Sequence, residues 1–115
     1  MSSLIVFGSL NMDLVVRGPR LPLPGETVQA DSFAIAAGGK GANQAVAAAR
    51  LGGDVTMIGR VGDDAFGQQL CDGLAAQGIE TDTVDTVADI SSGTASIAID
   101  DSGENSILVV PGANG

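Results

Sequence analysis

The chain has 115 residues, enough for one modest domain with a core of its own. Its hydrophobic content of 44% excludes a disordered tail, and with aromatics at only 3% the core must be built from Ala, Val, Ile and Leu. Fourteen acidic and five basic residues give a formal charge of −9, which argues against nucleic acid and anionic membrane surfaces, since both demand a basic patch. One cysteine and no histidine exclude, within these residues, a disulfide framework, a Cys/His zinc site and imidazole-based catalysis. No apolar run is long enough to span a bilayer and no secretion signal is visible at the start, so the reading is a cytoplasmic protein.

In chain order, Leu4-Ile5-Val6-Phe7-Gly8 is a short continuous apolar run that suits a strand buried on both faces, as in a parallel sheet. Asn11 and Asp13 follow, where ligands bind in such sheets, beyond the carboxyl end of a strand. If the segment is extended, both side chains point the same way, and an ionised Asp can hold two neighbouring hydroxyls of a polyol. Asn and Asp also stabilise turns, so the pair by itself reads equally as turn chemistry.

Leu14 to Arg17 reads as a second strand. Three prolines between Gly18 and Thr27 break regular structure, and Val28 to Ala36 reads as a third strand with Phe33 and Ile35 on one face. The chain thus leaves the sheet after Gly8, makes an excursion of short strands of the kind used as lids, and returns at Gly38-Gly39-Lys40-Gly41-Ala42-Asn43. That stretch is a glycine turn running into a helix from about Ala42 to Leu51. The free N–H groups and positive dipole end of such a helix suit an oxygen-rich ligand. Lys40 adds a cation and Asn43 a two-way hydrogen-bonding amide.

Asp54 to Gly59 reads as a strand, completing a βαβ unit. Asp63 or Asp64 can cap a helix running through Gln77, with Phe66, Leu70, Cys71 and Leu74 on its apolar face and Gly78 behind it. Capping explains the two aspartates at less cost than a metal, and Cys71 reads as a small core residue. Thr83 to Val87 reads as a short strand. Thr94 to Ile99 alternates, with Ala95, Ile97 and Ile99 on one face, and Ser106 to Val110 completes a hairpin with it.

Together these residues resemble the PfkB, or ribokinase-like, family of sugar and nucleoside kinases, over essentially the whole chain. The motifs are Gly8-Ser9-Leu10-Asn11-Met12-Asp13, Pro24-Gly25-Glu26-Thr27, Gly38 to Ala45, Gly52, Val61 to Gly67, and Pro111-Gly112-Ala113-Asn114. The segment Gly38 to Asn43, with Gly52 and Gly62 at this spacing, matches the family's N-terminal signature and is far more specific than a lone glycine motif. Within the family, Gly39 to Gln44 with Asn11 and Asp13 resembles the ribokinases.

The resemblance implies the N-terminal part of a three-layer α/β/α fold with a mostly parallel sheet. It also implies a small β-strand lid at about residues 14–36 and 94–110 that forms a homodimer contact. It implies a parent enzyme that moves the γ-phosphoryl of ATP to the 5-hydroxyl of D-ribose, with Mg2+ and K+. Asn11, Asp13, Gly39, Lys40, Gly41 and Asn43 match the residues that bind the sugar, and Ala95 and Ile97 match apolar lid residues that close over it.

The family's second signature, carrying the catalytic aspartate, has no match in these residues, nor do the nucleotide pocket and the cation sites. Gly112-Ala113-Asn114-Gly115 has its glycine flavour without the aspartate and matches a different loop. The expectation is therefore the sugar-binding and lid portion of a kinase whose ATP-binding half is absent, inactive alone, with no catalytic residue and no metal ligand of its own. Two alternatives remain open: a related kinase acting on fructose, a keto-deoxy acid or a nucleoside, and a non-catalytic module that binds sugar or dimerises. A dinucleotide-binding domain is disfavoured, because the turn after the first strand lacks the glycine fingerprint.

Overall fold

A computed structural model describes residues 3–115. The elements run β1 (Ser3–Phe7), β2 (Asn11–Arg17), β3 (Ser32–Gly38), α1 (Lys40–Arg50), β4 (Asp54–Gly62), α2 (Ala65–Ala76), β5 (Val84–Val87), β6 (Gly93–Ile99) and β7 (Asn105–Val110), with a 3-10 turn at Gly112–Asn114. They form two sheets. The first, in the order β1-β4-β5, is parallel throughout; the second has the order β3-β2-β6-β7. In the second sheet β2 pairs antiparallel with β3 and parallel with β6, and β6 and β7 form the expected hairpin. No helix among the described residues is long and apolar enough to cross a membrane.

Both helices end the same way. Gly52 (φ 88°) and Gly78 (φ 78°) adopt the left-handed conformation that lets the chain turn back over the last carbonyls. After α1, Gly52 N donates to Ala49 O (3.0 Å) and Gly53 N to Ala48 O (3.1 Å); after α2, Gly78 N donates to Ala75 O (2.9 Å) and Ile79 N to Leu74 O (3.1 Å). Ile79 and Leu74, joined by that last bond, are both buried.

The core gathers Val55, Met57 and Val61 of β4, Ala42 and Ala45 of α1, and Leu70 and Leu74 of α2. Leu10 and Met12 bring the second sheet into the same cluster. Phe66 and Cys71 lie half-buried against it, and burial, then the charge of Asp72, pushes the Cys71 thiol up from its ordinary value.

The expectation that β1 is buried on both faces is corrected. Both helices pack on the face carrying Val6, Val55 and Met57. On the opposite face Ile5 is 71% and Phe7 83% exposed. The apolar run signals a strand meant for cover on both sides, and the described residues supply one helical layer. Strand limits also shift. β2 begins at Asn11 rather than Leu14, because Asn11 to Asp13 pair with both Gly38 to Ala36 and Gly93 to Ala95. β3 covers Ser32–Gly38 instead of residues 28–36, since its limits are set by its partner β2, whose ends Arg17 and Asn11 stand opposite Ser32 and Gly38.

Of the two candidate aspartates, Asp64 is the cap of α2, accepting from Gly67 N (2.8 Å). It also accepts from Ser92 N (2.9 Å) and Ser92 Oγ (2.6 Å), and Ser92 Oγ accepts from Gly62 N (2.9 Å). One carboxylate thus joins the start of α2, the end of β4 and the root of β6. Desolvation pushes the Asp64 pKa up, but the hydrogen bonds from Ser92 and Gly67 outweigh it and hold the group below its ordinary value. Its stabilising contribution is therefore present above the unfolded-state pKa and is lost as pH falls through the lower folded-state pKa. We expect Asp64→Ala to cost about 2–5 kcal/mol at pH 7, from a lost cap and stranded Ser92 donors. Urea titrations should show that deficit shrinking below the carboxylate range. A deficit that stays constant down to pH 2 would contradict this role.

Candidate functional site

The site is built on one face of the second sheet. Side chains alternate along a strand, so Asn11, Asp13 and Val15 of β2 share a face. The register places Gly38 and Gly93 on either side of Asn11, and Ala36 and Ala95 on either side of Asp13. Ala34 and Ile97 flank Val15, with Ile107 beyond Ile97 and Val109 beyond Ala95. Small residues therefore surround the two polar groups at the base of the face, and apolar residues rise above them. Ala95 is buried and Ile97 half-buried. The opposite face of β2 sends Met12 and Leu14 into the core.

Asp13 leans over Gly38. A Cβ at position 38 would stand 2.5 Å from Asp13 Oδ2 and 2.9 Å from Oδ1, so any side chain there displaces the carboxylate. Burial pushes the Asp13 pKa up, and no described protein group donates a hydrogen bond to the carboxylate to offset this.

The strand β3 runs directly into α1 through Gly39, whose φ of 94° and ψ of 136° suit only glycine. A Cβ there would meet Ser9 O at 2.6 Å and Asn11 N at 3.1 Å. Gly41 and Gly8 touch backbone to backbone; a Cβ on Gly41 would lie 2.7 Å from Gly8 Cα. Ala42 N donates to Ser9 O (3.1 Å) and Asn43 N to Gly39 O (2.9 Å). No side chain caps α1 and its first turn holds no acid. The positive end of this helix thus starts two residues beyond the glycine under Asp13, with Lys40 exposed at its first position.

The expected residues fall into two groups. Asn11, Asp13, Ala95 and Ile97 share the face, and Gly39 and Gly41 are packed against the Gly8 to Asn11 segment at its base. Asn43, exposed in the first turn of α1, also lines a cleft of about 180 Å³ between α1 and α2, with Ala37, Leu70 and Leu74. A larger cleft, about 370 Å³, opens at the end of β1 between Phe7, Ser9, Arg60, Asp85 and Asn114, and it does not include Asp13. The Asp13 face itself is open.

Sequence reasoning missed Asn114. Its Oδ1 accepts from Leu10 N (3.1 Å), and its Nδ2 donates to Leu10 O (3.0 Å) and to Asn11 Oδ1 (2.8 Å). A Cβ at Gly93 would lie 2.5 Å from Asn11 Oδ1 and would also collide with Asn114 Nδ2, so Gly93 makes room for this contact. The only signal was an Asn in the last recognised motif, 103 residues from its partner.

The model of the pfkB family carbohydrate kinases matches residues 1–115. The ribokinase of Bacillus subtilis is 52% identical over 114 residues, covering 99% of this chain and 39% of that protein. The deoxyribokinase of Salmonella typhi is 46% identical over 109 residues, covering 95% of this chain and 36% of that protein. Among solved structures, the Arabidopsis thaliana ribokinase complexed with ribose and ATP superposes with a TM-score of 0.89 at 39% identity, over 98% of this chain and 36% of that one. The chain thus spans well under half the length of these relatives, and its two sheets and single helical layer are part of the ribokinase-like α/β fold.

Proposed function

The chain belongs to the pfkB family of carbohydrate kinases, and from that premise we propose that it is the sugar-binding and lid portion of a ribokinase. The full-length protein would transfer the γ-phosphoryl of ATP to the 5-hydroxyl of D-ribose. The observation that carries the sugar site is the Asp13 carboxylate: buried enough to be pushed up, without a hydrogen-bond donor among the described residues, and beside a helix start that no side chain caps. Sugar hydroxyls would supply the missing donors. Asn11, Asp13, Lys40 and Asn43 bind hydroxyls in this reading, and the Gly39 and Gly41 backbone closes on the sugar. Ala95 and Ile97 cover its apolar face and exclude water.

The carboxylates here do not fit a cation site. Among the described residues no three metal-binding side chains come together, and Asp64 is occupied by Gly67 and Ser92. In this reading ATP, Mg2+ and K+ belong to parts of the full-length protein outside these residues, and no step is routed through them here. A cytoplasmic location accords with the use of ATP.

A homodimer through the lid accords with the other face of the second sheet. There Phe33 is 62%, Leu108 74% and Val110 50% exposed, a patch that a second lid would cover. Light scattering on the full-length protein should give a dimer, and a monomer at micromolar concentration would contradict it.

The test of function is turnover. Full-length protein with D-ribose, ATP, Mg2+ and K+ should form ribose 5-phosphate, more efficiently than it phosphorylates 2-deoxy-D-ribose or fructose. A preference for deoxyribose would move the protein towards its 46%-identical relative. Ribose binding without turnover would favour the non-catalytic module.

A further inference from the structure

We propose that Asn114 is a positioning residue that sets the polarity of Asn11, turning the Asn11 amide NH2 toward the ligand. This rests on the sugar-site reading above. The backbone of Leu10 is unambiguous: its N–H can only donate and its C=O can only accept. Asn114 meets both, with Oδ1 on Leu10 N (3.1 Å) and Nδ2 on Leu10 O (3.0 Å). The reversed amide would set carbonyl against carbonyl and NH2 against N–H, so the orientation of Asn114 is fixed by chemistry.

The second hydrogen of Asn114 Nδ2 then points at Asn11, and only an acceptor can meet it. Asn11 therefore gives its Oδ1 (2.8 Å), and its own Nδ2 faces away from Asn114 as a donor. Gly93 is the condition for this geometry, because any Cβ there would occupy the space of both amides.

The consequence is a subsite with a defined sign. Asp13, on the same face two positions along β2, can only accept, while Asn11 is constrained to donate. A hydroxyl satisfies both, giving its hydrogen to Asp13 and taking one from Asn11. A carbonyl or ether oxygen at that point would face the carboxylate with no hydrogen to give, and a deoxy carbon would leave both groups unpaired. Asn114 thus makes this corner of the site a reader of hydroxyls without touching the sugar.

The test uses the full-length protein, D-ribose calorimetry and thermal melts. Asn11→Asp keeps an acceptor for Asn114 but replaces the outward donor by an acceptor beside Asp13. We expect its melting temperature to stay near that of the wild type and its ribose affinity to fall about tenfold or more, at least as far as in Asn11→Ala. Asn11→Asp that binds ribose normally but melts early would overturn the proposal, because Asn11 would then be donating inward. Asn114→Asp cannot donate to Asn11, so it should lower ribose affinity in the wild-type background and have little further effect on top of Asn11→Ala. An equal loss in both backgrounds would reduce Asn114 to a pin for Leu10 and overturn its positioning role. Ribose affinity unchanged in Asn11→Ala would instead sink the sugar-site reading itself, and the positioning role with it.

Discussion

Asp13→Asn in the full-length protein is expected to weaken D-ribose binding by about 10–100-fold while making the unliganded fold slightly more stable at neutral pH. The first effect follows from chemistry. A carboxylate accepts charge-assisted hydrogen bonds from two hydroxyls, and an amide keeps the shape but loses the charge and one acceptor. The second follows from the direction of the pKa shift. Burial raises the Asp13 pKa, so the protonated group fits the fold better than the ionised one. The stability it contributes is full below the unfolded-state pKa and is lost as pH rises through the folded-state value, leaving a penalty at pH 7 that Asn removes. Affinity for ATP should change little. Calorimetry with each ligand and a melt at pH 7 read all three quantities. Unchanged ribose binding with a lower melting temperature would make Asp13 a structural residue of β2 and not a ligand residue.

Gly39→Ala is expected to be among the most damaging single-methyl additions at the site. The backbone at φ 94° and ψ 136° lies where L side chains cost about 1–3 kcal/mol, and the new Cβ would press on Ser9 O at 2.6 Å, for about 1–3 kcal/mol more. Ser9 O already accepts from Ala42 N, so relief of that contact pulls the Gly8 to Asn11 segment away from α1 and misplaces Asn11. Stability and ribose affinity should fall together. Gly52→Ala separates the two costs, because Gly52 also has a positive φ of 88° but nothing within 4 Å of its Cβ position. It should lose only the backbone term, with ribose affinity intact. Urea titrations of both variants check this, and equal losses at Gly39 and Gly52 would show that the contact with Ser9 is of no consequence.

Much of this fold was legible because its signals are local. Helix α2 announces itself through Asp64, the spacing of Leu70 and Leu74, and Gly78, and each does what its type predicts. The β6–β7 hairpin follows from the alternation of Thr94 to Ile99 and the apolar run at Ser106 to Val110. The excursion into a second sheet was readable from proline and glycine placement. What escaped depends on partners far along the chain. Nothing near Asn11 says that β2 starts there; Gly38 and Gly93 do, by pairing with it. The exposure of Ile5 and Phe7 could not be read from an apolar run that looks alike whether one face is covered or two. Within the site, the same-face placement of Asn11 and Asp13 followed from period two, but the sign of the Asn11 amide needed Asn114. The aspartate pair at 63 and 64 was open between two caps, and Ser92 is what distinguishes them.

The most direct test of the sugar site is a crystal structure of the full-length protein with D-ribose bound. The sugar is expected on the face of the second sheet that carries Asn11 and Asp13. One hydroxyl should lie within hydrogen-bond distance of both Asp13 and Asn11 Nδ2, the start of α1 should close one side, and Ala95 and Ile97 should stand over the ring. Ribose seated instead in the cleft between Phe7, Arg60 and Asp85, or on the sheet face that carries Phe33 and Leu108, with Asp13 still free of ligand, would contradict the assignment of this site.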